Sequence, residues 1–163
     1  EVEHQMWYER FPEYTQWKQD IVEAYQKYGF IETYFGFRFT GYMDRKQCCN
    51  YPIQGTSFHL LLYTLIRVEN FLLKNKLKTK MVGQVHDSCI LNIPVDEIIP
   101  VCTAVEQIVF SLKDKFKWLV VPMEIEIELS KTRENGGNFS QLKEFSLASI
   151  QHKEHEVFIS SLT

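Results

Sequence analysis

Several residue types that would define a fold class or a cellular role are scarce in this chain. Only 7 glycines and 5 prolines occur among 163 residues, which excludes collagen-like and low-complexity sequences. No apolar run approaches the roughly 18 residues that a membrane-spanning helix needs, so no membrane partner is expected. A basic leader followed by an apolar stretch is also missing, and the first residue is Glu rather than Met. We therefore expect a processed chain, an engineered piece or a fragment of something longer.

Cysteines are few, and their spacing suits neither a disulfide framework nor a zinc site. The four form no Cys-x-x-Cys pair, and two are adjacent: Cys48, Cys49, Cys89 and Cys102. We interpret them as reduced thiols of a cytoplasmic protein, two of them buried. Neither sign of charge dominates, since the net charge is −3, which argues against a simple basic clamp on nucleic acid. It does not exclude a nucleic-acid enzyme with an acidic metal centre.

Apolar periodicity predicts an α+β fold. With 45% apolar residues, one sizeable core is expected. Apolar spacings of three and four residues predict helices over 5–28, 56–76 and roughly 99–116. Alternating patterns predict a hairpin over 30–39, a second over 80–93, and a strand over 119–129 whose glutamates, Glu124, Glu126 and Glu128, share a solvated face. Because helices and strands do not alternate regularly, we predict a mostly antiparallel sheet.

The segment Gln-Val-His-Asp-Ser at 84–88 separates the two β runs of the second predicted hairpin. Its His86-Asp87 pair lacks the Asn-Gly or Asp-Gly chemistry that tight hairpins prefer, and a broken local rule at a turn can indicate a functional site. A carboxylate on a rigid tip can hold Mg²⁺, and the neighbouring imidazole can donate to a phosphate or sugar oxygen. Taken alone, such a dipeptide is more often a solvated turn.

A second motif, Asn-Tyr-Pro-Ile-Gln-Gly-Thr at 50–56, follows an irregular stretch over 41–51. The amides of Asn50 and Gln54 can read base edges or sugar oxygens in a minor groove. The proline fixes the backbone, and Gly55 allows a close approach. The alternative is an ordinary loop that caps the following helix through Thr56.

In this order, the two motifs resemble the palm of the DNA polymerase I-like (family A) polymerases. Asn-x-Pro-Ile-Gln-Gly, a helix of about twenty residues and Gln-Val-His-Asp follow one another, preceded by the stretches FPEY, GFIET and FGFR. The resemblance covers roughly residues 5–135. It implies an antiparallel palm-type sheet with a catalytic hairpin, packed against long helices. It also implies a helical segment over 1–28 leading from the fingers, a palm subdomain over 29–135 and a divergent tail over 136–163.

The resemblance implies a reaction and a metal site. Asp87 is similar to the catalytic, metal-holding palm aspartate, and His86 to the residue at the primer 3′ end. The implied enzyme is a DNA-directed DNA polymerase that uses two Mg²⁺ ions, primer–template DNA and dNTPs, with pyrophosphate leaving. The second carboxylate would come from a missing upstream segment or a companion chain that also carries the fingers. We expect this chain alone to be inactive, and we expect it in the cytoplasm of a bacterium or a phage-infected host.

The same resemblance implies DNA contacts. Asn50 and Gln54 look like the amides that track the minor groove and the template, and Lys46 occupies a position that is often basic near DNA. Arg38 is a weaker match.

A separate run of lysines is inferred from the residues alone. Lysines 74, 76, 78 and 80 either touch DNA phosphates or form a solvated loop.

Departures from the family pattern leave alternatives open. Ser88 stands where the family usually has Glu, and Ser-Phe-His at 57–59 replaces Ala-Ala-Asp. His-Asp-Ser also occurs in phage-type single-subunit RNA polymerases, although Cys89 and its neighbours fit that family poorly. A non-catalytic DNA-binding or assembly module is the third reading.

Overall fold

A computed structural model describes residues 8–129 and the backbone of 143–145. In chain order, its helices and strands are α1 (Pro12–Tyr28), β1 (Phe30–Glu32), β2 (Arg38–Thr40), α2 (Arg45–Lys74), β3 (Lys80–Val85), β4 (Ser88–Asn92), a 3₁₀ turn (Val95–Glu97), α3 (Ile98–Phe110), α4 (Leu112–Lys115), β5 (Ile127–Leu129) and β6 (Lys143–Phe145). The described strands form three separate antiparallel pairs. The predicted α+β class with antiparallel pairing is confirmed.

Within the described residues, no helix is both long and apolar enough to cross a membrane.

The chain divides into two compact units, Glu1–Leu62 and Tyr63–Thr163. The predicted boundaries at 28/29 and 135/136 stay predictions. Apart from β6, the proposed tail over 136–163 lies outside the described residues, as do the first seven residues of the predicted helical segment.

The first unit is built from α1, the β1–β2 hairpin and the beginning of α2. α1 ends at Gly29, whose φ of 77° and N–H bond to the Tyr25 carbonyl (2.8 Å) form a left-handed cap. β1 pairs with β2 through Ile31↔Phe39 and its neighbours, so the predicted hairpin is confirmed. Ile31, Met43 and Cys48 form the buried core against α1.

The helix predicted over 56–76 begins earlier than expected, and the alternative of an ordinary loop before it is wrong, because α2 begins at Arg45 and runs through the whole Asn-x-Pro-Ile-Gln-Gly motif. A reciprocal capping box starts it: the Gln47 N–H donates to Asp44 Oδ1 (2.8 Å), and the Asp44 N–H donates to Gln47 Oε1 (2.9 Å). Pro52 lies inside the helix. Thr56 is no cap, since its hydroxyl donates to the Pro52 carbonyl one turn earlier (2.6 Å).

The second unit packs the end of α2 and the β3–β4 hairpin against α3. Val68, Leu72, Val101 and Ile108 form its buried core. The helix predicted over roughly 99–116 is interrupted at Ser111, where α3 gives way to α4.

The predicted strand over 119–129 is shorter than expected, because only β5 has a strand partner there. Its alternation is nevertheless confirmed, since Glu124, Glu126 and Glu128 are exposed between half-buried apolar neighbours.

All four cysteines are free thiols, and three of them, Cys48, Cys49 and Cys102, are buried rather than the expected two. Burial raises the pKa of Cys102 to about 11.

Candidate active site

His86 and Asp87 form the two-residue turn between β3 and β4. Val85 pairs with Ser88 directly beneath the turn, so the predicted hairpin and its tip are confirmed. Further down, the register shifts between Met81 and Gly83, which inserts Val82 as a bulge. The hairpin is therefore tight at its tip and irregular nearer its base.

His86 adopts the left-handed conformation, with φ 53°. Non-glycine residues pay roughly 1–2 kcal/mol for this region. Two side chains brace the turn: Gln84 Nε2 donates to the His86 carbonyl (3.3 Å), and Ser88 Oγ donates to the Val85 carbonyl (2.8 Å). The sequence holds a strained histidine where an Asn or Gly would be less costly, which is typical of functional turns.

Asp87 is exposed at this tip, and no hydrogen bond or ion pair engages its carboxylate within residues 8–129. Carboxylate oxygens are the ligands that Mg²⁺ prefers, so Asp87 fits one position of a magnesium site. Across the same part of the chain, no group of three or more His, Cys, Asp or Glu side chains could hold a metal ion. A magnesium site at this tip would therefore need further ligands besides Asp87.

Ser88 has a structural task at the position where the resemblance leads us to expect Glu. Its hydroxyl closes the turn by bonding to Val85 (2.8 Å). A serine cannot add a second carboxylate, and here it stabilises the geometry that presents Asp87.

A second group of predicted residues lies on α2. Lys46, Asn50 and Gln54 follow one another at four-residue spacing, about 6 Å of helix rise per step, so they share one face. Lys46 and Gln54 are exposed, and Asn50 is half-buried. The helical setting, which periodicity alone missed, aligns the three polar side chains in a row.

Gly55 permits a close approach, but the neighbour is the protein itself. A Cβ at this position would lie 2.8 Å from Thr33 Cγ2 and 3.0 Å from Phe39 Cε2 of the β1–β2 hairpin. The Tyr34 N–H also donates to Thr56 Oγ1 (3.2 Å), which joins the hairpin to the helix. The glycine of the motif therefore serves packing beside the polar row.

His59 marks another departure from the family pattern and is used locally. Its Nδ1 bonds to the Gly55 carbonyl, and its ring stacks on Phe35, with the ring centroids 5.5 Å apart. This histidine supports the hairpin–helix packing of the first unit.

Arg38 is already engaged on β2. Its Nε lies 2.6 Å from Glu32 Oε2, and its guanidinium lies 4.4 Å from the centroid of the Phe30 ring. A role in DNA binding would have to compete with this ion pair, and that role stays a prediction.

The structure thus brings the predicted residues together in two groups. His86 and Asp87 share the β3–β4 tip in the second unit, and Lys46, Asn50 and Gln54 share a face of α2 in the first. Sequence reasoning missed Asp44 and Gln47, although the Asp-x-x-Gln spacing of a capping box was readable. It also missed Glu97, a buried carboxylate to which the backbone before β3 is bonded.

The sequence has relatives among bacterial and phage polymerases. It is 27% identical over 130 residues to DNA polymerase I of Chloroflexus aurantiacus, covering 74% of this chain and 14% of that protein. It is also 27% identical, over an alignment of 168 positions including gaps, to the DNA polymerase of Bacillus phage SP01. That alignment covers 94% of this chain and 18% of that protein. The chain therefore spans less than a fifth of the length of these relatives.

A solved structure shares the fold. The POL domain of Pol1 from M. smegmatis, in complex with DNA primer-template and dNTP, matches with a TM-score of 0.60 and 20% identity, over 66% of this chain and 21% of that one. The model of the protein family DNA polymerase family A matches residues 3–135, which is most of the 163-residue sequence. This chain belongs to DNA polymerase family A.

Proposed function

We propose that this chain is the C-terminal palm part of a template-directed DNA polymerase, which adds deoxynucleotides to a primer 3′ end. The observation that carries the proposal is the β3–β4 tip. There an exposed Asp87 carboxylate is held next to His86 in a left-handed turn. Family membership supports the reaction class, because the relatives are DNA polymerases.

In this proposal Asp87 holds Mg²⁺, and His86 positions the primer end. Two bound Mg²⁺ ions would supply charge neutralisation at the reacting phosphate and lower the pKa of the attacking hydroxyl. The tip contributes rigidity, because a two-residue turn braced by Ser88 fixes the carboxylate relative to the strands. His86, exposed beside it, offers a ring N–H to a phosphate or sugar oxygen of the primer.

The polar row on α2 supports a sequence-independent reading of DNA. Minor-groove acceptors are nearly the same for every correct base pair. The amide N–H groups of Asn50 and Gln54 can therefore donate hydrogen bonds to any matched pair. The ammonium group of Lys46, one turn earlier on the same face, suits a neighbouring phosphate. Arg38 is assigned an auxiliary phosphate contact.

We also propose that activity needs a companion segment or chain with the fingers and another palm carboxylate. Two-metal phosphoryl transfer requires carboxylates from more than one place, and residues 8–129 hold no cluster of three metal-ligating side chains. The short span relative to the polymerases is consistent with this requirement. A cytoplasmic location stays a prediction.

Primer extension tests the proposal. A labelled primer–template with Mg²⁺ and dNTPs is incubated with this chain alone, or with a family A segment that carries the fingers and the first palm carboxylate. The second reaction is repeated with Asp87→Asn. Asp114→Asn serves as the matched control, because Asp114 is an exposed carboxylate of the same unit outside the tip. We expect synthesis only in the reconstituted reaction, its loss in Asp87→Asn and its retention in Asp114→Asn.

The other outcomes point elsewhere. Synthesis by this chain alone would overturn the companion requirement. Preference for ribonucleotides would favour the RNA polymerase alternative. If the assembled pair binds DNA without any synthesis, the non-catalytic module is the better description.

A further inference from the structure

A run of lysines connects α2 to β3 and has no part in the proposed active site. Lys74 ends the helix, Lys80 begins the strand, and Lys76 and Lys78 lie between them. We call these four residues the basic ridge. All four are exposed, and no carboxylate occurs within 74–80. None of them forms an ion pair in the part of the chain that the structure describes.

Alternating burial presents the lysines on one side of the connection. Leu77 packs against the core of the second unit and Thr79 is buried, whereas Lys76, Lys78 and Lys80 point outward. In an extended segment, alternate residues lie about 6.6 Å apart. Phosphates along one DNA strand rise only about 3.4 Å each along the axis but are roughly 7 Å apart through space, so this spacing matches neighbouring phosphates.

The connection is ordered before any partner binds. Lys76 takes the left-handed conformation that ends the helix, with φ 52°, where glycine would be less strained. The Leu77 N–H donates to the Leu72 carbonyl (3.0 Å), and the Lys78 N–H donates to Glu97 Oε1 (2.8 Å). A preordered segment loses less conformational entropy on binding than a free loop does.

Glu97, a buried carboxylate close to the basic ridge, does not serve as an ion-pair partner for its lysines. Glu97 is buried, and its oxygens already accept bonds from the backbone of Lys78 and from Thr79. Its charge interacts with Lys78 alone among the four lysines. The ammonium groups of the basic ridge therefore remain available to an anion.

From these observations we propose that the basic ridge binds the phosphate backbone of nucleic acid, without regard to base sequence. Four cations within seven residues, with no carboxylate among them, favour a phosphate backbone, which carries a charge at every nucleotide, over an acidic protein, whose carboxylates are interspersed with neutral and basic side chains. The inference goes beyond the proposed function, because the ridge lies at the opposite end of β3 from Asp87, roughly 17 Å of strand away, and needs no nucleotide transfer.

The salt dependence of DNA binding tests the ridge. Fluorescence anisotropy with a labelled duplex of arbitrary sequence gives the association constant of the 163-residue chain from about 50 to 300 mM NaCl. The test variant is K74Q/K78Q/K80Q, which spares the left-handed Lys76. K113Q/K115Q/K117Q is the matched control, because it removes the same charge from another exposed lysine cluster of the same unit. Circular dichroism verifies that all variants fold.

We expect the slope of log K against log salt to become shallower by about 2 to 3 in the ridge variant, since each lost phosphate contact removes about 0.9. The control variant keeps the original slope, and so does K74R/K78R/K80R, which retains the three positive charges. Equal slopes in the ridge and control variants would overturn the proposal. Displacement of the duplex by polyglutamate at equal charge concentration would also overturn it, in favour of an acidic protein partner. This binding assay requires no synthesis, whereas primer extension does, so the two proposals fail independently.

Discussion

Thr79 donates two hydrogen bonds to a single oxygen, Glu97 Oε2: one from its N–H (2.8 Å) and one from its hydroxyl (2.7 Å). Both residues are buried. These bonds join the 3₁₀ turn after β4 to the segment before β3, at the base of the hairpin that carries His86 and Asp87.

The Glu97 bonds predict a pH dependence of stability. Hydrogen bonds from the Lys78 N–H, then from Thr79, together with the Lys78 charge, hold the pKa of Glu97 below its usual 4.5. The native state therefore binds fewer protons at this group than the unfolded state does. The stabilisation is complete above the unfolded pKa and is lost as the pH falls through the folded pKa.

Urea unfolding across the acidic range measures this effect in the wild type and in Glu97→Gln. We expect Glu97→Gln to be less stable at neutral pH, and the difference to shrink below about pH 4.5. Asp96→Asn controls for the loss of an exposed neighbouring carboxylate. A difference between Glu97→Gln and the wild type that stays constant down to the lowest pH would contradict the assignment.

Strain at His86 predicts that its glycine and alanine variants differ in stability but not in activity. His86→Gly relieves the left-handed backbone, whereas His86→Ala removes only the imidazole. We expect the glycine variant to be more stable than the alanine variant by about 1 kcal/mol in urea unfolding. Both variants should impair the reconstituted polymerase equally, because both lack the ring. Equal stabilities would show that the turn carries no backbone strain.

Gly55 predicts a steric penalty that helix propensity does not anticipate. Alanine is normally better than glycine in a helix by about 1 kcal/mol. Here its Cβ would meet Thr33 Cγ2 at 2.8 Å, so we expect Gly55→Ala to destabilise the first unit by about 1–3 kcal/mol. Gly83→Ala is the control, because its Cβ would contact Ile90 at an ordinary 3.5 Å. Adding Thr33→Ser, which deletes Cγ2, should recover part of the loss, and no recovery would place the clash elsewhere.

Burial predicts unequal thiol reactivity. Because burial raises the pKa of Cys102 to about 11, against 9.0 for an ordinary thiol, its thiolate fraction near pH 8 is lower by about a hundredfold. Alkylation followed by mass spectrometry should label half-buried Cys89 well before Cys102. In urea the two rates should converge. Comparable rates in the folded protein would contradict the buried setting of Cys102.

The sequence predicted the hairpins and the His86-Asp87 turn because these features are local. Strand alternation on both sides of His86 and Asp87 leaves little freedom in where the chain turns. The beginning of α2 was missed, since the apolar periodicity that predicted this helix starts only at residue 56, although Asp44 and Gln47 provide a cap eight residues before Pro52. The contact of Gly55 with the β1–β2 hairpin and the burial of Glu97 depend on tertiary packing, which no local pattern encodes.

The packing at Gly55 bears on how the Asn-x-Pro-Ile-Gln-Gly motif is used to recognise related chains. The two amides of the hexapeptide lie on one face of α2, Gln54 exposed and Asn50 half-buried, whereas its glycine packs against the β1–β2 hairpin. Two polar positions on the helix face and one position constrained by packing thus lie within six residues. A homologue that had lost both amides but kept the glycine would retain this packing without the polar row, so the motif should be scored position by position when function is inferred.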